Sequence, residues 1–224
     1  MNTKFSTSMM VANPVTLQSI LPLIDRYTDM YHIDIMDGHF VPNLALPTSY
    51  IRLLKPFTTK PFDAHLMVTD PNNYIDELIK DGVDTITLHP GTIALDAFRI
   101  IDKIKRANVK LGIALSPSVG FETIQYYAHL IDKITIMSVE PGFAGQAMIK
   151  ETLPKIAEAR AYRSANNLDF LIEVDGSNNY NTFEDYVSRG ADILVLGSGL
   201  FNADQLDKQF EAIKEFVHNV ENVD

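Results

Sequence analysis

Short runs rich in β-branched and aromatic residues alternate with longer stretches of helical period from one end of the chain to the other. Strands are expected near Lys4–Met10, Met30–Ile35, Pro61–Met67, Asp84–Leu88, Lys110–Ser116, Lys133–Val139, Phe170–Val174 and Ile193–Leu196. Amphipathic helices are expected between them, over Thr16–Tyr27, Thr48–Lys55, Pro71–Asp81, Ala94–Ala107, Phe121–His129, Lys150–Asn166, Tyr180–Arg189 and Ala203–Val217. Pro71 suits a first helical turn, with Thr69 and Asp70 as capping candidates. Gly82 and Gly190 stand just past helical stretches, where a left-handed residue often ends a helix.

Eight strand–helix units at about 28 residues each match a (β/α)8 barrel. An open doubly wound sheet usually carries fewer strands at this length. No linker, low-complexity run or shift of composition divides the chain, so residues 1–224 are expected to form one α/β barrel domain. Polar residues gather on the C-terminal side of the strands: Ser8, His32 to Asp37, His65, His89, Ser116, Ser138, Asp175 and Gly197–Ser198. The N-terminal sides read as ordinary turns. In a barrel the first face carries chemistry and the second carries stability.

Hydrophobic residues make up 46% of the 224, enough for a sizeable core. The formal net charge of −10 argues against a nucleic-acid or anionic-membrane partner, though a local site for an anionic small molecule stays open. With no cysteine there is neither a disulfide framework nor a thiolate metal site. MNTKFSTSMM has no apolar core followed by a small-residue cleavage site, and no apolar run approaches the ~20 residues of a membrane span. A cytoplasmic protein is the expectation.

Four metal-capable side chains, His32, Asp34, His65 and Asp175, stand at strand ends in YHIDIMDG, FDAHLMV and LIEVDGS. Singly, each is ordinary: a strand-end histidine is usually a bonded core or loop residue, and an aspartate is often a helix cap. Two residues apart on one strand, His32 and Asp34 project to the same side. If the others converge on them, two imidazoles and two carboxylates suit one divalent ion, zinc first, with cobalt, manganese or ferrous iron also accommodated. Such an ion would stabilise an enediolate formed next to a carbonyl. Asp34 and Asp175, on opposite faces of that intermediate, could remove a proton from one side and return it on the other.

Asp175-Gly176-Ser177 and Gly197-Ser198-Gly199 follow strands seven and eight, where barrels often grip phosphate with backbone amides. Pro141-Gly142-Phe143-Ala144-Gly145-Gln146 follows strand six and suits a mobile lid or a surface turn. Met36, Met67 and Met137 lie near strand ends, as core filler or as a dry wall beside a ligand.

In HIDIMDGHFVPN, DAHLMV, SVEPGFAGQ, EVDGS and GSGLF the chain resembles the ribulose-phosphate 3-epimerase family over essentially its whole length. The resemblance implies a metal-dependent barrel that inverts C3 of a phosphorylated ketose. It implies His32, Asp34, His65 and Asp175 as metal ligands and Asp34 and Asp175 as the acid/base pair. It further implies Ser8 and His65 against the sugar, Met36, Met67 and Met137 flanking the intermediate, and Gly142–Gln146 closing over it. Gly176, Ser177, Gly197 and Ser198 would bind phosphate, and the family's habit implies a homo-oligomer. Thr7-Ser8 stands where Pro-Ser is common, Ala144 for a usual glycine, and Ser177 for the second glycine of VDGG. LHPGT, GFAGQ, VDGS and SGLFN look closer to the D-allulose-6-phosphate 3-epimerase branch, although Gly91 stands where that branch commonly has Glu. D-allulose 6-phosphate is therefore the expected substrate, with D-ribulose 5-phosphate as the alternative.

Related decarboxylases and synthases use D-x-K-x-x-D where this chain has H-I-D-I-M-D. A Schiff-base aldolase needs a strand-end lysine, and Lys110 and Lys133 are expected at strand starts. A non-catalytic sugar-phosphate binding protein would need neither the metal set nor the paired carboxylates.

Overall fold

Polar or small residues alternate with aliphatic ones along the strands, and this alternation decides where the core sits. In β2 (Met30–Met36), Tyr31, Ile33 and Ile35 take one side and His32, Asp34 and Met36 the other. β3 (Phe62–Met67) repeats the pattern with Phe62, Ala64 and Leu66 against Asp63, His65 and Met67. The aliphatic sets of all the strands join helix residues such as Ile24, Ile75, Ile104, Ile156 and Phe210 in one buried core. The polar sets face the lumen, where Lys133 of β6 reaches Asp63 of β3 from a strand that is not its neighbour.

The computed structural model describes residues 3–222. Its eight strands are β1 (Lys4–Ser8), β2, β3, β4 (Thr85–Leu88), β5 (Lys110–Leu115), β6 (Lys133–Met137), β7 (Leu171–Asp175) and β8 (Ile193–Leu196). All pair in parallel, in sequence order, and β8 closes on β1, so the expected (β/α)8 barrel is the observed fold. The helices are α1 (Leu17–Tyr27), α2 (Tyr50–Leu54), α3 (Asn72–Lys80), α4 (Ala97–Arg106), α5 (Leu153–Ala165), α6 (Phe183–Arg189), α7 (Ser198–Phe201) and α8 (Leu206–Glu221). Gly82 (φ 82°) and Gly190 (φ 105°) do end their helices in the left-handed region. No helix among the described residues is long and apolar enough to cross a membrane.

One expected helix is absent. Phe121–His129 forms two short 3-10 turns, Phe121–Thr123 and Ala128–Leu130. The buried Ile124, Tyr127 and Ala128 mimic helical spacing, but Phe, Thr, Ile and two Tyr are poor helix formers in so short a connection. Conversely, Gly197-Ser198-Gly199 opens a short helix, α7, that was not expected, and the last long helix begins at Leu206 rather than Ala203.

The N-terminal rim is more than a set of ordinary turns. Asp29, Asp84, Asp132 and Asp192 occupy equivalent places before the even-numbered strands. Each donates its backbone N–H to a carbonyl at the start of the preceding strand, and its carboxylate accepts the N–H of that same residue. The partners are Phe5, Phe62, Leu111 and Ile172, with carboxylate contacts of 2.6–2.9 Å. Arg163 adds an ion pair to Asp192 at 2.6 Å. Asp192→Ala is expected to cost about 2–3 kcal/mol, because it orphans the Ile172 N–H and removes the charged partner of Arg163, which keeps the Phe170 carbonyl. Urea unfolding of wild type and variant checks this, and a loss under about 0.5 kcal/mol would show the staple to be dispensable.

Candidate active site

Register brings the polar strand ends together. β2 and β3 pair Asp34 with His65 and His32 with Asp63, and β6 and β7 pair Met137 with Asp175. The outcome is a compact group at the C-terminal mouth. His32 Nε2 lies 3.3 Å from His65 Nδ1, 3.4 Å from Asp34 Oδ1 and 3.8 Å from Asp175 Oδ2. His65 Nδ1 lies 3.4 Å from Asp34 Oδ1 and 3.7 Å from Asp175 Oδ2. The four donor atoms all fall within 4.8 Å of one another, as the convergence expected from sequence requires.

The two carboxylates sit in different fields. Burial disfavours the Asp34 anion, but His32 and His65 outweigh that and hold its carboxyl well below the usual range. Ser8 also donates to Asp34 Oδ2 at 2.8 Å. Burial, with the Asp34 and Glu173 charges adding to it against the two histidines, lifts Asp175 to about 6. Asp34 is thus held ionised while Asp175 keeps its proton up to about pH 6, so the two carboxyls differ in proton affinity as an acid/base pair does. Burial opposes the His32 imidazolium, but Asp34 and then Asp63 raise its pKa well above the ordinary value. A site that concentrates positive charge in this way also favours a cation in place of protons.

Both histidines have outer partners that sequence reading passed over. His32 Nδ1 is 3.0 Å from Asp63 Oδ2, close but off the line of a well-formed hydrogen bond. His65 Nε2 is 3.0 Å from His89 Nε2, and His89 Nδ1 is 3.2 Å from Ser116 Oγ. Burial and then His65 push His89 well below its ordinary pKa, so it is neutral and has one acceptor nitrogen. With Nδ1–H donated to Ser116, His89 Nε2 accepts from His65 Nε2–H, leaving the His65 Nδ1 lone pair aimed at the cluster. Asp63-x-His65 and Glu173-x-Asp175 have the spacing of His32-x-Asp34, so a same-face search along β3 and β7 would have found both acids.

Above the cluster lies a cavity lined by Ser8, Asp34, Met36, Met67, Met137, Gly142–Gln146, Asp175–Ser177, Gly197 and Ser198. All the expected substrate and phosphate residues border it except His65, which is fully buried beneath its floor. That depth suits His65 to holding an ion. Gly199 of the expected phosphate segment also lines the cavity, as do Met10, Glu140 and Asn178, which were not anticipated. Gly199 approaches the Asn178 carbonyl so closely that any Cβ would press into it, which draws the loops after β7 and β8 together. Ser177 holds φ 46°, a left-handed conformation that favours glycine.

The loop after β6 is tied rather than free. Asn43 donates to the Gly142 carbonyl at 2.7 Å, and Gln146 spends its side-chain amide on the carbonyls of Glu140 and Phe143 at 2.6 and 2.9 Å.

A parallel eight-stranded barrel with two imidazoles and two carboxylates converging under a glycine-rimmed cavity belongs to the barrels that do chemistry at the C-terminal mouth. The profile of the Ribulose-phosphate 3 epimerase family matches residues 4–201, and the chain is a member of that family. The ribulose-phosphate 3-epimerase of Buchnera aphidicola subsp. Acyrthosiphon pisum is 35% identical over 206 residues, 90% of this chain and 90% of that one. That of Bacillus subtilis is 36% identical over 187 residues, 83% and 86% of the two chains. The chloroplastic ribulose-5-phosphate-3-epimerase of Arabidopsis thaliana is 32% identical over 222 residues, 94% of this chain and 78% of that one. Among solved structures, 3-hexulose-6-phosphate synthase from Salmonella typhimurium superposes with a TM-score of 0.70 at 14% identity, over 97% of this chain and 99% of that one. At that identity it speaks for the fold alone. These matches do not distinguish the allulose-6-phosphate branch, and the relatives' names favour the pentulose alternative.

Proposed function

We propose that the chain is a metal-dependent 3-epimerase interconverting D-ribulose 5-phosphate and D-xylulose 5-phosphate. The observation that carries this reading is the convergence of Asp34 and Asp175, with His32 and His65, on one point at the floor of the cavity. The relatives' shared name supplies the pentulose.

The residues fit a divalent ion. Tetrahedral zinc with nitrogen and oxygen ligands at about 2.0–2.2 Å separates neighbouring donors by about 3.3–3.6 Å. The pairs that include a histidine lie 3.3–3.8 Å apart, and all four donors fall within 4.8 Å of one another. His32, Asp34, His65 and Asp175 would hold the ion. When bound, it would act as a Lewis acid toward oxygens that gain negative charge during deprotonation.

The remaining work falls to side chains. The carboxylate on the face of the C3 hydrogen removes that proton, and the other carboxyl delivers its own to the opposite face. Asp34 and Asp175 come from strands that are not neighbours, so they reach the cavity from different directions. Ser8 fixes Asp34 through Oδ2, while Oδ1 faces the two histidines. Met36, Met67 and Met137 keep water from the planar intermediate. The amides around Gly176–Ser177 and Gly197–Ser198 would take the phosphate.

Side-by-side kcat/KM values for D-ribulose 5-phosphate and D-allulose 6-phosphate test the substrate. A preference of at least about tenfold for the pentulose is expected. A comparable preference for the hexulose would restore the reading suggested by Ala144 and Ser177, and turnover of neither would remove the epimerase reading.

A further inference from the structure

Beneath the candidate metal ligands the barrel lumen holds three further charged groups, Asp63, Lys133 and Glu173, each at most 4% exposed. The Lys133 ammonium bonds Asp63 Oδ2 and sits 2.6 Å from Glu173 Oε1. Thr87 donates to Asp63 Oδ1 at 2.6 Å, and Thr135 donates to Glu173 Oε1 at 2.8 Å. Gly112 leaves room for this arrangement, since a Cβ there would run into the Thr87 hydroxyl. Burying a carboxylate this deeply is costly unless it is paired, and none of these groups touches the cavity above. They meet the cluster at Asp63 Oδ2, which stands 3.0 Å from His32 Nδ1, off the line of a well-formed hydrogen bond.

From this geometry we infer that Asp63 is a positioning residue for His32, and that Thr87 and Lys133 hold Asp63 in place. This rests on the reading of His32, Asp34, His65 and Asp175 as a metal site. A ligating imidazole must present an unprotonated nitrogen, and its other ring N–H is normally taken by a carboxylate or carbonyl. Asp63 selects the tautomer with Nδ1 protonated, which points the Nε2 lone pair at His65, Asp34 and Asp175. The negative charge behind the ring makes Nε2 a stronger donor. Lys133, shared between Asp63 and Glu173, keeps the Asp63 carboxylate aligned on β3 and partly offsets the two buried anions.

The test uses the full chain, stripped of metal and titrated with zinc alone against a chromophoric chelator. Asp63→Asn keeps the shape and removes the charge, and its zinc dissociation constant should rise about 10–100-fold. Thr87→Val, which removes one restraint on Asp63, should raise it several-fold, about 2–10. In histidine 15N spectra of the zinc-loaded wild type, His32 should show a protonated Nδ1, and that resonance should shift or broaden in both variants. Unchanged zinc affinity with an unmoved His32 signal would overturn the inference, even if both variants melt earlier. If Asp63→Asn does not fold, Thr87→Val decides in the same way. A wild type that binds no zinc overturns the metal-site reading itself. A wild type that binds zinc as tightly as Asp63→Asn overturns only the role given to Asp63.

Discussion

Asp175→Asn and Asp34→Asn should each lower kcat for epimerisation by about 10³-fold while leaving the far-UV spectrum and the melting of the metal-free chain near wild type. An amide cannot accept or return a proton at the pH where the carboxyls work. Asp175 is the cleaner test, because its nearest partners are His32 and His65 at 3.8 and 3.7 Å, beyond hydrogen-bond reach, so little structural energy goes with the charge. Asp34 also loses a good acceptor for Ser8. A second readout separates two acids from one. In deuterated buffer, a chain that keeps a single competent carboxylate should still exchange the C3 proton of one epimer, with inversion blocked. Exchange lost equally from both epimers would point to damage at the ligand cluster instead of a missing base. Either variant turning over at the wild-type rate would end the two-carboxylate mechanism.

Removing the metal is the other large effect. Exhaustive chelation should lower activity by at least about 10³-fold, with recovery when zinc is added back. Without a cation, two carboxylates and two imidazoles remain packed within 4.8 Å of one another, and protons must replace the missing positive charge. The loaded chain should also be harder to unfold. Zinc at a thousand times its dissociation constant stabilises by about 4 kcal/mol. For a chain of this length that is about 8–16 °C in melting temperature. Full activity in a preparation shown by elemental analysis to hold less than a tenth of a metal per chain would refute the dependence.

How much of this was legible beforehand depends on whether the signal was local. Strand positions and the alternation of His32 with Asp34 follow from a two-residue period, and they survive because burial of the aliphatic face enforces register. Gly82 and Gly190 announce helix ends because only the backbone conformation matters there. The Phe121–His129 segment misled because its buried residues have helical spacing while its side chains resist the helix. Asp63, Glu173 and His89 went unassigned because each acts on a residue brought near by pairing between strands.

By itself, then, the amino-acid order determined the eight strands with most of their helices, the polar strand ends and the four residues able to hold an ion. Each of these depends on spacings of a few residues. Only the closed barrel decided that β2, β3 and β7 aim those residues at a common point, that Asp34 and Asp175 differ in proton affinity, and that Asp63 lies behind His32. Those outcomes depend on distances across the lumen and on burial in a low-dielectric interior, and neither exists until the last strand pairs with the first.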